Sequence, residues 1–139
     1  MKNLNLNYLF AVIILAVIIT TGCSSDDSSP EAVEVSSVRS IDTKLAGTWN
    51  GTVDGTLGSA QADFILGKNG DISAETDSQI LCPFQGTWWV QNGIFNAAGE
   101  DECDGTVIEL RGSSASKTVI SGNWTASSGN DGKFSMTKQ

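Results

Sequence analysis

The chain has 139 residues, with 8 Lys+Arg against 16 Asp+Glu, a net charge of −8, no His and 3 Cys. That length accommodates one ordinary domain, and the absence of His excludes a His-based triad, imidazole metal ligation and a histidine pH switch. The acidic balance argues against nucleic acid, whose phosphates call for a basic surface.

Residues 1–22 read as an address rather than as part of a fold. Lys2 supplies a small positive region, and Tyr8–Ile19 is an uninterrupted apolar run. Such a run is too short for the roughly 20 residues of a membrane-crossing helix, but it fits the apolar region of a secretory signal. Thr20-Thr21-Gly22-Cys23 follows directly and resembles the lipobox of bacterial lipoproteins, with Thr20 where that motif usually has Leu. The resemblance implies cleavage before Cys23 and a diacylglycerol, accompanied by fatty acyl chains such as palmitate, on its thiol. The alternative is a conventional signal cut near Gly22 that leaves Cys23 free.

Ser24-Ser25-Asp26-Asp27-Ser28-Ser29 resembles the Ser/Asp export tag that carries some lipoproteins of one Gram-negative phylum to the outer face of the outer membrane. It reads equally as a solvated linker. Residues 23–44 are accordingly expected to be a lipidated Cys and a flexible polar tether, in a protein lipid-anchored to the outer membrane and exposed at the cell surface. Without Lys2 the mature chain carries a net charge of −9, which repels anionic surfaces and leaves the anchoring to the lipid.

Gly, Ser, Thr and Asn are plentiful from Leu45 to Gln139, while Glu, Lys, Leu and Ala never gather at helical spacing. Turn signals recur at Asp54-Gly55, Asn69-Gly70, Asn92-Gly93, Asp104-Gly105 and Asp131-Gly132, pairs suited to the positive φ angles of type I′ turns. Strands are predicted near 46–53, 60–67, 71–77, 84–91, 94–99, 106–112, 117–125 and 132–138. Several alternate, as in Thr106–Arg111, where Ile108 and Leu110 share one face and Glu109 and Arg111 the other. The expected fold of residues 45–139 is all-β: a small antiparallel up-and-down barrel of about eight strands, with a two-sheet sandwich as second choice.

A repeat supports the barrel. Gly47-Thr48-Trp49, Gly86-Thr87-Trp88 and Gly122-Asn123-Trp124 each precede a strand carrying a Phe, namely Phe64, Phe95 and Phe134. These six aromatics are predicted core residues, each burying a large area. Trp89 neighbours Trp88 on one strand and so faces the opposite way, outward, which makes it the candidate contact residue for a partner. The opening Leu45-Ala46-Gly47-Thr48-Trp49 and the closing Phe134-Ser135-Met136-Thr137 resemble the calycin group of lipocalins and avidins, up-and-down barrels whose first strand carries Gly-x-Trp. That resemblance implies a barrel with room for at most one small ligand; the polar biotin ligands of avidins have no counterparts here.

Cys82 and Cys103 remain once Cys23 is acylated, and an exported chain sits where disulfides persist. A two-residue turn at Asn92-Gly93 pairs Gln91 with Ile94, so partner numbers sum to 185, as do 82 and 103. The alternation of pair types makes Cys82 and Cys103 a non-hydrogen-bonded pair, with Cα atoms about 4.5–5.5 Å apart and within disulfide range.

Chemistry is sparse. The acidic run Glu100-Asp101-Glu102 with Asp104 lacks the spacing of a calcium loop and reads as a solvated loop. No Gly-x-Ser-x-Gly elbow or phosphate-binding Gly loop is present. The chain is therefore expected to be non-enzymatic, to need no cofactor or metal, and to be a monomer apart from any complex. Two functions suit it: binding of a small apolar ligand or a glycan through the barrel mouth or Trp89, or protein interaction. The second would be as an accessory subunit of an outer-membrane assembly, or as an inhibitor of a basic enzyme such as lysozyme.

Overall fold

The computed structural model describes residues 38–76 and 82–139, with Ala115 by its backbone only. The expected signal segment and Cys23 lie outside the described residues. Eight strands run along the described chain: β1 Gly47–Gly55, β2 Gly58–Leu66, β3 Asp71–Thr76, β4 Phe84–Gln91, β5 Ile94–Asp101, β6 Val107–Ser116, β7 Val119–Ala126 and β8 Asp131–Lys138. Each pairs antiparallel with the next, and β8 returns to β1 from Trp49↔Lys138 to Gly55↔Gly132, closing a barrel. The up-and-down barrel is thus realised and the sandwich is not. Closure gives every strand two neighbours and leaves no edge to template aggregation.

The pattern that makes these strands is alternation. In β2, Ala60, Ala62, Phe64 and Leu66 are buried while Ser59, Gln61, Asp63 and Ile65 are exposed, as a period of 2 dictates. The same parity sends Trp49, Trp88, Trp124, Phe64, Phe95 and Phe134 inward, all of them buried. Trp88 stacks on Phe95 with centroids 6.1 Å apart, and Phe95 meets Phe134 at 6.4 Å in a tilted pair. Among the described residues the core holds no buried polar or charged side chain. Three indole N–H groups enter it, and each donates to a backbone carbonyl: Trp49 to Leu45 at 2.9 Å, Trp88 to Gly67 at 3.0 Å and Trp124 to Asp54 at 2.9 Å.

Neighbouring strands approach each other most closely where glycines face each other. Gly86 pairs with Gly99, and a Cβ on Gly86 would lie 2.6 Å from the Cα of Gly99. Gly112 pairs with Gly122, where a Cβ on Gly112 would meet the carbonyl oxygen of Ser121 at 2.6 Å. Backbone approaches backbone at both pairs, which only a residue without a side chain permits.

Of the five turn dipeptides, Asn92-Gly93 forms the expected two-residue turn with both residues at positive φ, 54° and 75°. Asn69-Gly70 and Asp104-Gly105 lie in turns where only the glycine has positive φ. Asp54-Gly55 and Asp131-Gly132 are not turns: both lie in strands, β1 and β8, where Gly55 faces Gly132. These glycines seat an aromatic instead. A Cβ on Gly55 would come within 2.7 Å of the Trp124 ring carbon Cζ2, and one on Gly132 within 2.7 Å of its Nε1.

The fold also starts earlier than expected. By sequence the tether runs to Lys44, yet Ser40 exchanges two backbone hydrogen bonds with Val90, at 3.0 and 2.7 Å. Pairing of β3 with β4 spans only Asp71↔Thr87 to Ala74↔Phe84, so the end of β4 has a free side. Ser40 fills that side.

Candidate functional site

The two ends of the barrel differ. At the end where β1 begins and β8 finishes, Leu45 is buried and Ile41 packs against the core. The indole hydrogen bonds of Trp49 and Trp88 tie the rings to the carbonyls of Leu45 and Gly67, so the segment preceding β1 and the β2–β3 turn form a plug. The inward residues of this half are large: Leu66, Ile72, Ile120 and Met136.

The opposite end lacks such a plug among the described residues, and its inward residues mix the large rings of Phe84 and Trp124 with small side chains. Ala60, Ala62 and Ala74 are buried there, and Ala126 is half-buried beside Val53 and Ile108. The alanines leave an apolar cavity of about 60 Å³ among Ala62, Phe64, Ala74, Phe84, Leu110 and Trp124. Above it opens a vestibule of about 270 Å³ edged by Leu57, Asp101, Asp104, Ile108 and Asn130. Leu57, at the tip of the β1–β2 turn, is 69% exposed. Together these form an apolar well with an acidic rim.

Cys82 borders both spaces and is disulfide-bonded to Cys103, with Cα atoms 5.8 Å apart. The register that anticipated this bond holds without a bulge from Gln91↔Ile94 to Phe84↔Asp101. One step further, the Glu102 N–H donates to the Pro83 carbonyl at 2.8 Å. Pro83 has no N–H to return the bond, so the ladder ends and the two Cys pair across its last rung.

The acidic run organises the same end. Oδ1 of Asp101 accepts the N–H groups of Cys103 at 3.2 Å, Asp104 at 3.0 Å and Gly105 at 3.2 Å, capping the turn that presents Cys103. Glu102 accepts a hydrogen bond from the Gln85 amide. Side-chain and backbone hydrogen bonds from Thr106, with a further one involving Asp101, hold the Asp104 carboxyl below the usual carboxylate range. Among the described residues no group of three or more His, Cys, Asp or Glu side chains is arranged to hold a metal ion.

Trp89 requires a correction. It points outward, opposite to Trp88, but it is half-buried rather than an open contact surface. The docked Ser40 carries Arg39 onto the ring, with Cζ 4.4 Å from the centroid, a cation–π contact. Its indole Nε1 is buried and has no hydrogen-bond partner among the described residues. A segment that reads as polar linker in the sequence thus covers the aromatic that reads as exposed.

Sequence reasoning missed the well. The signal was present as the alanines at 60, 62, 74 and 126, but only the register places them at one end.

What the described residues define is a small closed up-and-down β-barrel with one end covered by the segment before β1 and, among those residues, an uncovered, apolar-lined opposite end. A solved structure described as a redesigned beta barrel is similar to it, with a TM-score of 0.59 and 18% sequence identity over 75% of this chain and 99% of that one. At that identity the likeness shows the fold alone. No protein-family model and no curated protein matches the chain.

Proposed function

We propose that this chain is a non-enzymatic outer-membrane lipoprotein, held by an acylated Cys23 and displayed at the cell surface, whose barrel binds a small apolar ligand at its open end. The observation that carries the binding is the asymmetry of the two ends: the Ile41–Leu45 segment covers one, while at the other Ala62 and Ala74 leave an apolar hollow between the rings of Phe64, Phe84 and Trp124. A well of this size suits a short alkyl or aromatic group, with the rest of the ligand in the vestibule, at the lower end of the range for small-molecule sites. The rim carboxylates Asp101 and Asp104 favour neutral or cationic ligands over anionic ones. An apolar molecule that carries sugar fits the same mouth, sugar outward.

Exposed Leu57 beside those carboxylates supports a second reading, in which the mouth receives an apolar side chain of a basic partner protein.

Titration with the neutral fluorophore N-phenyl-1-naphthylamine tests the ligand reading. Saturable binding is expected, with energy transfer from tryptophan, and Ala74→Leu should weaken it about tenfold or more by filling the well. Undiminished binding in a folded Ala74→Leu protein would place the dye elsewhere and remove the support for this site.

A further inference from the structure

The charged side chains of the barrel separate by end. Arg39, Lys44, Lys68, Lys117 and Lys138 lie at the plugged end, in the segment before β1, the β2–β3 and β6–β7 turns and the last residue of β8. The carboxylates of Asp54, Glu100, Asp101, Glu102, Asp104 and Asp131 lie at or near the open end. Among the described residues, Asp42, Asp71 and the C-terminal carboxylate are the acids at the plugged end, Lys133 is the cation near the mouth, Glu75 lies towards the mouth, and Asp63, Glu109 and Arg111 lie along the barrel wall.

Three lysines at the plugged end converge. Lys138 Nζ donates to the Lys44 carbonyl at 2.7 Å, and its charge lies 5.8 Å from the Trp49 ring centroid. The Lys44 ammonium stands close enough to Lys117 to hold that lysine below its ordinary range, with Asp42 opposing the effect. Lys44, Lys117 and Lys138, with Asp42 as the acid beside them, make this patch positive on a chain whose total charge is −8.

The same end receives the tether. Residue 38, the first described, leads through Arg39 and Ser40 onto β4. From Cys23 to Val38 the chain can span at most roughly 50 Å. The strands make the barrel only about 25–30 Å tall, so a tether of that reach lets either end approach the membrane. Orientation has to come from the surface of the barrel itself.

We infer that the plugged, lysine-bearing end docks on the anionic headgroup phosphates of the membrane that holds the anchor, so that the open mouth faces away from it. This rests on the reading of Cys23 as a lipid-anchored residue. Clustered lysines within a Debye length of an anionic bilayer gain attraction while the acidic mouth is repelled, and the two effects act in the same rotational sense. The net negative charge of the chain, which taken as a whole opposes membrane contact, then works as an orienting device.

The test places an azide-bearing residue at position 57, at the mouth, or at position 118, beside Lys117, and couples a donor dye to it. The full mature chain is carried on vesicles of phosphatidylcholine with or without phosphatidylglycerol, and energy transfer to a headgroup acceptor is read. The mass of the N-terminal peptide reports the lipid separately. If Cys23 proves to be a free thiol, the anchor reading fails, and the same chain is attached through that thiol to a maleimide lipid so that docking is still measured. Transfer from position 118 should exceed that from position 57 by about twofold or more on anionic vesicles. That excess should fall to its value on neutral vesicles in the doubly substituted Lys44→Glu, Lys117→Glu protein and at high salt. Equal transfer from the two positions on anionic vesicles, or an excess indifferent to both lipid charge and the lysine substitutions, would overturn the docking.

Discussion

The plugged and open ends of this barrel are built from the same strands by the same alternation, yet one is sealed by packing and the other is held by a covalent bond. At the plugged end, Leu45 and Ile41 cover the core, and the indoles of Trp49 and Trp88 are fastened to the covering backbone. At the open end the Cys82–Cys103 disulfide ties the start of β4 to the turn after β5, next to the β3–β4 pairing, the shortest among the described residues. Where the interior is filled, dispersion and burial suffice. At the other end a covalent staple adds to the packing of Phe84 and Trp124.

Breaking each end in turn should give effects of different size and kind. Trp88→Ala, at the plugged end, removes a ring that is 1% exposed and stacked on Phe95; it should destabilise the fold by about 3–5 kcal/mol in denaturant unfolding. Replacing both Cys82 and Cys103 by Ser should cost roughly 3 kcal/mol. Hydrogen exchange should then show the loss concentrated at 82–86 and 99–107, with the plugged end still protected. Leu45→Ala should cost about 2–3 kcal/mol, read from the same unfolding curves, since it opens the plug without touching a strand. Arg39→Ala should cost about 0.5–1 kcal/mol at most, the scale of an exposed cation–π contact, and should raise the accessibility of Trp89 to acrylamide. A larger loss from Arg39→Ala than from Leu45→Ala would mean that the strap on β4, rather than the plug, holds that end.

How far the sequence revealed these ends depends on the range of the interaction involved. The disulfide followed from a two-residue turn because Asn92-Gly93 sets the register, and register carries along a regular ladder to Cys82 and Cys103. The strands followed from alternation, which is local. Asp54-Gly55 and Asp131-Gly132 misled because their glycines answer to Trp124, distant in sequence, and not to a turn. Ser40 and Arg39 carry no apolar period that would separate them from a linker. Their docking is set by the free side of β4, which is a property of the closed barrel. The Gly86–Gly99 and Gly112–Gly122 contacts, the hollow at Ala62 and Ala74 and the separation of charge by end are likewise visible only once strand order and register are known.

The central claim is that the open end, and not the plugged end or the Trp89 face, receives a ligand. Backbone amide chemical shifts followed while N-phenyl-1-naphthylamine is titrated into the protein test it most directly. The account predicts saturable shifts at 53–62, 74–76, 106–110 and 124–130, with the amides of 41–49, 66–72 and 88–95 unmoved; shifts centred on Trp88–Phe95 or on Leu45–Trp49 would contradict it.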